Sequence, residues 1–292
     1  MSKKSRERRE RAAHPERRQR TQAEIPFVER PFEGLPVEVE LVGLRDILPM
    51  ATLPARTTSQ FGSRDLLLTT TLPGMNAALY RKDGILLIAT QMITKSGDAS
   101  RDIASSIEHG IELKPESSWA PDGLPEPGLR LQDILDPEGF GDLKIWETPE
   151  YWMTDDELAD PNTTELLNQA RDEVPPMAEI DGIRGAYWTR MGSEFLRWVR
   201  PEPRDAVLDG VARLRAAAEA DFEGGRFIGV FRSLGLAIPV WELDRGTEAD
   251  ELPAPLAQFQ SHLEEAIAST APLTPDQKRA RAGVVSRQVV LR

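Results

Sequence analysis

The chain has 292 residues, 40% apolar and 29% charged, a globular composition with length for one large domain or two small ones. It has no cysteine, which excludes disulfides, thiolate zinc sites and a cysteine nucleophile and predicts a cytoplasmic protein. The net charge of −12 is unevenly divided: nine of the 36 Lys/Arg but only three of the 48 Asp/Glu fall in residues 1–20, so that segment is +6 and the remainder −18.

Residues 1–24 have no apolar stripe and are expected to be a disordered basic arm. Its cations are Lys3, Lys4, Arg6, Arg8, Arg9, Arg11, Arg17, Arg18 and Arg20; with no aromatic residue among them, they suit phosphate contacts on RNA or the ribosome better than base stacking. Pro26, Pro31 and Pro36 predict an extended strap whose Phe27, Val28, Phe32 and Leu35 lie on the body. Leu44, Ile47 and Leu48 share one face of a short helix over 44–49. Residues 66–72 are dense in strand formers, and residues 78–81 and 85–88 flank Asp83-Gly84, a two-residue hairpin signal. Ile103, Ile107 and Ile111 predict a helix over 100–112.

Residues 114–142 hold five prolines and read as a long loop; residues 147–181 hold eleven Asp/Glu against Arg171 alone. Within that acidic stretch Thr154-Asp155-Asp156-Glu157 is a capping box, and Pro175-Pro176 marks a boundary. Residues 185–190 are strand-like. A helix over 205–220 starts at Asp205, and residues 226–243 form a strand, a turn and a strand. A helix over 253–269 buries Leu256, Phe259, Leu263 and Ile267, a short basic helix starts at Thr274, and residues 284–291 make a last strand.

The predicted fold is therefore α+β, with two sheet-plus-helix halves at 25–113 and 183–292 joined by a Pro-rich, acidic connector at 114–182. Tyr80-Arg81-x-x-Gly84-Ile85-x-Leu87 matches Phe231-Arg232-x-x-Gly235-Leu236-x-Ile238 at an offset of 151 residues. A pseudo-duplication and shared hairpin chemistry both account for that match.

The strap at 26–36 resembles the opening of the actinobacterial domain of unknown function 5926 family. Phe195-Leu196-Arg197-Trp198-Val199, the stretch 230–243 and the ending from Ala280-Arg281-Ala282-Gly283 to Arg287-Gln288-Val289 resemble it too. The resemblance covers about residues 25–292 and implies a cytoplasmic lineage without an assigned activity. Some members of that family carry a cysteine-rich zinc motif like the one at the tail of the Sec translocase ATPase. This chain has a basic arm there and no cysteine, so neither zinc nor a Sec role carries over.

Few residues point to chemistry. There is no phosphate-loop or dinucleotide-binding glycine motif, and the three histidines lack metal-ligand spacing, so neither a cofactor nor a metal is expected. Ser105, Ser106 and His109 lie about one helical turn apart, but read better as a polar helix face and a frayed helix end than as nucleophile and base. Asp155, Asp156, Glu157 and Asp160 read as a solvated helix start. Trp146, Tyr151 and Trp152 are open to two readings, a cation-binding cage or staples of a loop to the core. No catalytic residue is named. The function expected is a binding or adapter protein whose arm contacts RNA or the ribosome and whose acidic body docks a protein partner, with no membrane span. The alternatives are an enzyme with a site between the halves, where Arg81, Trp188, Trp198 and Arg232 would line the pocket, and a chaperone-like module for protein clients.

Overall fold

The computed structural model describes residues 24–286, so the nine arm cations lie outside the described residues, as does the end of the predicted last strand. The strap differs from a plain extended segment. It is extended through Val28 and then turns, with Gly34 at φ +87, so that Phe32 and Leu35 enter the core while Phe27 stays 79% exposed. Its Arg30 makes a two-pronged bond to Glu38 (2.7 and 2.7 Å) and also donates to the Pro201 carbonyl (2.9 Å).

The strap leads into α1 (Glu38–Asp46), which begins six residues before the helix expected from Leu44, Ile47 and Leu48. Seven of its nine residues are buried, so no single apolar stripe marks it, and Pro49 disfavours helix at the residue before it. A buried α1 is what the rest of the fold requires, because it lies between two sheets.

The first sheet has six strands in the order β5-β3-β4-β2-β1-β6. They are β1 (Ala51–Arg56), β2 (Asp65–Thr69), β3 (Ala78–Tyr80), β4 (Leu86–Ala89), β5 (Ser117–Trp119) and β6 (Lys144–Ile145). β1 is absent from the sequence reading because Pro54 interrupts it. It is tolerated because β6 pairs only with Ala51 and Thr52, so no strand there needs an N–H from Pro54, whose carbonyl accepts from Gly141 N–H (3.0 Å). The β3–β4 turn also differs from the two-residue hairpin expected. Arg81 N–H bonds the Ile85 carbonyl (3.0 Å) across a three-residue loop closed by Gly84 at φ +89. α2 (Ala99–Gly110) covers this sheet, and the proline-rich stretch contributes β5 and α3 (Leu131–Ile134) to it.

The capping box starts α4 (Asp155–Leu158), with Thr154 N–H donating to Glu157 (2.8 Å), and α5 (Pro161–Glu173) follows. The second sheet is wholly antiparallel, in the order β10-β11-β9-β8-β7. Its strands are β7 (Met177–Glu179), β8 (Ala186–Arg190), β9 (Glu194–Trp198), β10 (Gly225–Ser233) and β11 (Leu236–Leu243). One face is covered by α6 (Arg204–Ala217), α7 (Pro253–Ala268) and α8 (Pro275–Ser286). α6 starts after Pro203 rather than at Asp205, and Val284 and Val285 end α8 instead of opening a strand. β2 and β4 are parallel, a pairing the second sheet lacks, so the likeness between the two halves stops at the matched hairpins.

Strand alternation divides the apolar residues among three cores. Tyr187, Leu236 and Ile238 of the second sheet share one core with α1, α2 and the inner face of the first sheet. Trp188, Ala237 and Trp241 face α6–α8, and Leu87 and Ala89 face outward under Trp152. The fold is thus mixed α+β, with α1 and the strap set between two sheets. No helix among the described residues is long and apolar enough to cross a membrane.

Candidate functional site

The junction between the two halves opens as a cleft at the N-terminal half of α2. A cavity of about 310 Å³ lies between the strap, the end of α1, the loop before α2 and the β10–β11 turn. Local chemistry shapes each wall. Asp98 caps α2 by accepting from Ser100 N–H (3.0 Å), and Val28 N–H bonds the Gly97 carbonyl (3.0 Å), tying strap to loop. The β10–β11 turn places Leu234 and Gly235 at φ +47 and +83, a two-residue turn of the twisted-hairpin type. A Cβ on Gly235 would lie 2.6 Å from that of Arg30, so the strap passes directly over this turn.

A second cavity of about 410 Å³ lies along the same helix, floored by Asp102, Ser105 and Ser106 and walled by Met92 and Trp119. Asp102 lines both cavities. Arg101 holds the outer wall of the larger one in place, donating to the Glu126 (2.9 Å) and Leu129 (2.6 Å) carbonyls and pairing with Glu108 (2.8 Å).

Two buried charges define the electrostatics. Arg45 is 7% exposed, donates to the Thr90 carbonyl and has no ion pair within 4 Å among the described residues. Burial pulls its pKa down, against the pull of Asp46 and Asp102. Asp102 is 3% exposed, and burial raises its carboxyl above the usual range although Ser96 N–H donates to both oxygens (3.2 Å each). On the rim, Lys95 and Arg232 are exposed without a bonded partner among the described residues, whereas Arg204 is paired with Glu29.

Ser105, Ser106 and His109 differ from the polar helix face and frayed helix end expected of them. Both serines are buried in the cavity floor. Ser106 Oγ donates to the Asp102 carbonyl (3.2 Å). His109 Nδ1 meets the Ser105 carbonyl (2.8 Å) rather than a hydroxyl, and the imidazole stacks on Trp119 at 4.1 Å. Nor is the helix end frayed: a Cβ on Gly110 would lie 2.9 Å from Ile88.

The four residues named from sequence for a pocket between the halves lie in different places. Arg232 lines the smaller cavity. Arg81 pairs with Asp83 and donates to the Tyr151 carbonyl (2.8 Å), stapling the β3–β4 turn. Trp198 is 1% exposed beneath the second sheet, and Trp188 borders another pocket, beside Trp146 and Glu248. Trp146, Tyr151 and Trp152 act as staples, bonding Thr52 (3.0 Å), Thr70 (3.1 Å) and the Thr71 carbonyl (2.9 Å). The cation over the Trp146 ring is the chain's own Lys144, 3.4 Å from its centroid. Asp155, Asp156, Glu157 and Asp160 are exposed, and no group of three or more metal-binding side chains occurs among the described residues.

Arg45, Lys95 and Asp102 are absent from the sequence reading. The available signal was an arginine inside Val39-Glu40-Leu41-Val42-Gly43-Leu44-Arg45, a helix apolar on most sides, where a cation has no solvated face to occupy.

A family model described as a family of unknown function (DUF5926) matches residues 31–292, and the chain belongs to that family. No curated protein and no solved structure matches the chain.

Proposed function

We propose that this member of the DUF5926 family is a binding protein that holds a small ligand in the cleft between its two sheets, along α2. The observation that carries this reading is the sharing of Asp102 by two adjoining cavities, of about 410 and 310 Å³, beside the buried Arg45. Buried charges cost stability unless something pairs with them, and convergent polar groups with shifted pKa values mark ligand sites more often than plain packing. Ser106 Oγ and His109 are engaged with backbone carbonyls, and His109 Nδ1 meets no hydroxyl, which favours binding over nucleophilic catalysis. With no cysteine the chain needs no oxidising compartment to form disulfides, and we infer that it acts in the cytoplasm.

Native mass spectrometry of the full-length protein from its own host tests this. The expected result is a bound small molecule that is lost in Thr94→Trp, which fills the larger cavity from a half-buried loop position. An empty protein with no thermal shift across a metabolite library would overturn the reading. A second reading rests on charge. An arm of +6 on a body of −18 favours contacts with RNA or the ribosome through the arm alone, leaving the acidic surface to a basic protein partner.

A further inference from the structure

We infer that the ligand of this cleft is an organic phosphate monoester, its phosphate held by Arg45, Lys95 and Arg232 and its body lying past Asp102 in the larger cavity. The inference rests on the ligand-binding reading above and adds the chemical class. Arg45, Lys95, Arg204 and Arg232 line the smaller cavity against Glu29 and Asp102, so its lining is +2 within a body that carries −18. Such a local reversal draws an anion to a surface that otherwise repels it. Arg204 is already matched by Glu29, which leaves three cations without a carboxylate partner.

Those three come from three different elements around one cavity. Arg45 reaches in from α1, with one N–H on the Thr90 carbonyl and its remaining N–H groups without a protein partner among the described residues. Lys95 comes from the loop before α2 and Arg232 from the end of β10 beside the turn. Three cations on three separate elements match three terminal oxygens, where a carboxylate would present two. Asp46 acts on Arg45 through its charge but makes no ion pair with it within 4 Å among the described residues; its carboxylate accepts from Ser233 Oγ. Asp102 borders both cavities, its oxygens accepting from Ser96 N–H.

The larger cavity sets the character of the rest of the ligand. Met92, Trp119 and Leu124 give it an apolar wall, and Phe27, Ile93, Leu124 and Leu129, at the strap and the two flanking loops, are four of the six large apolar side chains exposed on the described molecule. A cationic cavity beside one with an apolar wall fits a phosphate carried on an apolar or aromatic body.

Calorimetric titration of the full-length protein with phenyl phosphate tests the inference, with inorganic phosphate and benzyl alcohol as comparisons. Phenyl phosphate is expected to bind at one site, inorganic phosphate more weakly, and benzyl alcohol not at all. Lys95→Ala/Arg232→Ala removes two exposed cations and is expected to weaken phenyl phosphate at least about tenfold with Tm unchanged. Arg45→Met should do the same where it folds, and the double variant carries the test where it does not. Equal binding by the double variant, or no binding of phenyl phosphate, overturns the inference. A neutral or cationic molecule recovered from the cleft by native mass spectrometry also overturns it while leaving the ligand-binding reading intact; an empty cleft together with no phenyl phosphate binding overturns both.

Discussion

Asp102 shows how one side chain ties the cleft to stability. Its carboxyl is raised above 3.8 by burial, so the folded protein holds that proton more tightly than the unfolded chain does. Below the ordinary value both states are protonated and burial costs little; as pH rises through the folded value the carboxylate ionises against its surroundings and stability is lost. Asp102→Asn keeps an acceptor for Ser96 N–H and removes the charge. Its Tm is therefore expected to exceed that of the parent at pH 7–8, with the difference closing as pH falls toward 4. Thermal unfolding across that range, without ligand, is the measurement; a constant or widening gap would show that burial of the charge is not the cause. Tyr187 presents a related strain, its buried hydroxyl lacking a partner among the described residues and lying where a Cβ on Gly43 would meet it at 2.7 Å.

At the scale of elements, close approach of helices governs what substitutions the second half accepts. Gly210 of α6 faces α7 so closely that a Cβ there would lie 2.7–2.8 Å from Ile267, including that residue's own backbone. Gly210→Ala gains helix propensity of about 1 kcal/mol, yet it must push two helices apart, at a cost of roughly 1–3 kcal/mol. A net loss of stability is expected, read as a Tm lowered by about 2–4 °C per kcal/mol; a raised Tm would mean that the helices separate freely. The same packing explains what sequence could and could not reveal. The helix α7 was legible down to its four buried residues because a single stripe packs against α6 and Trp241 of the second sheet while the opposite face is exposed. By contrast α1, enclosed on most sides, has no stripe, and β5 and β6 are three- and two-residue edge strands whose existence depends on partners far along the chain. The cleft was legible only at Arg232, which the matched hairpin brought to notice; Arg45, Lys95 and Asp102 belong to no local motif and join it only because the strap and α1 bring the two sheets together.

For the whole molecule, the division of charge places the two proposed functions on different parts of the sequence. The arm precedes the described residues, and the strap that follows it spans both halves through Arg30 and Val28. Deleting residues 1–22 removes all nine arm cations and three acids, and leaves a chain of net −18 with strap and cleft intact. The deletion is expected to leave Tm and cleft ligand unchanged and to abolish nuclease-sensitive RNA recovery. If all nine cations contact single-stranded RNA, the slope of log affinity against log salt for the full chain reaches roughly −6. Binding titrations at four salt concentrations, with and without the arm, measure both quantities. Retention of RNA by the shortened chain would place nucleic-acid binding on the body, against its net charge. A flat salt dependence would remove the electrostatic basis of the arm's role altogether.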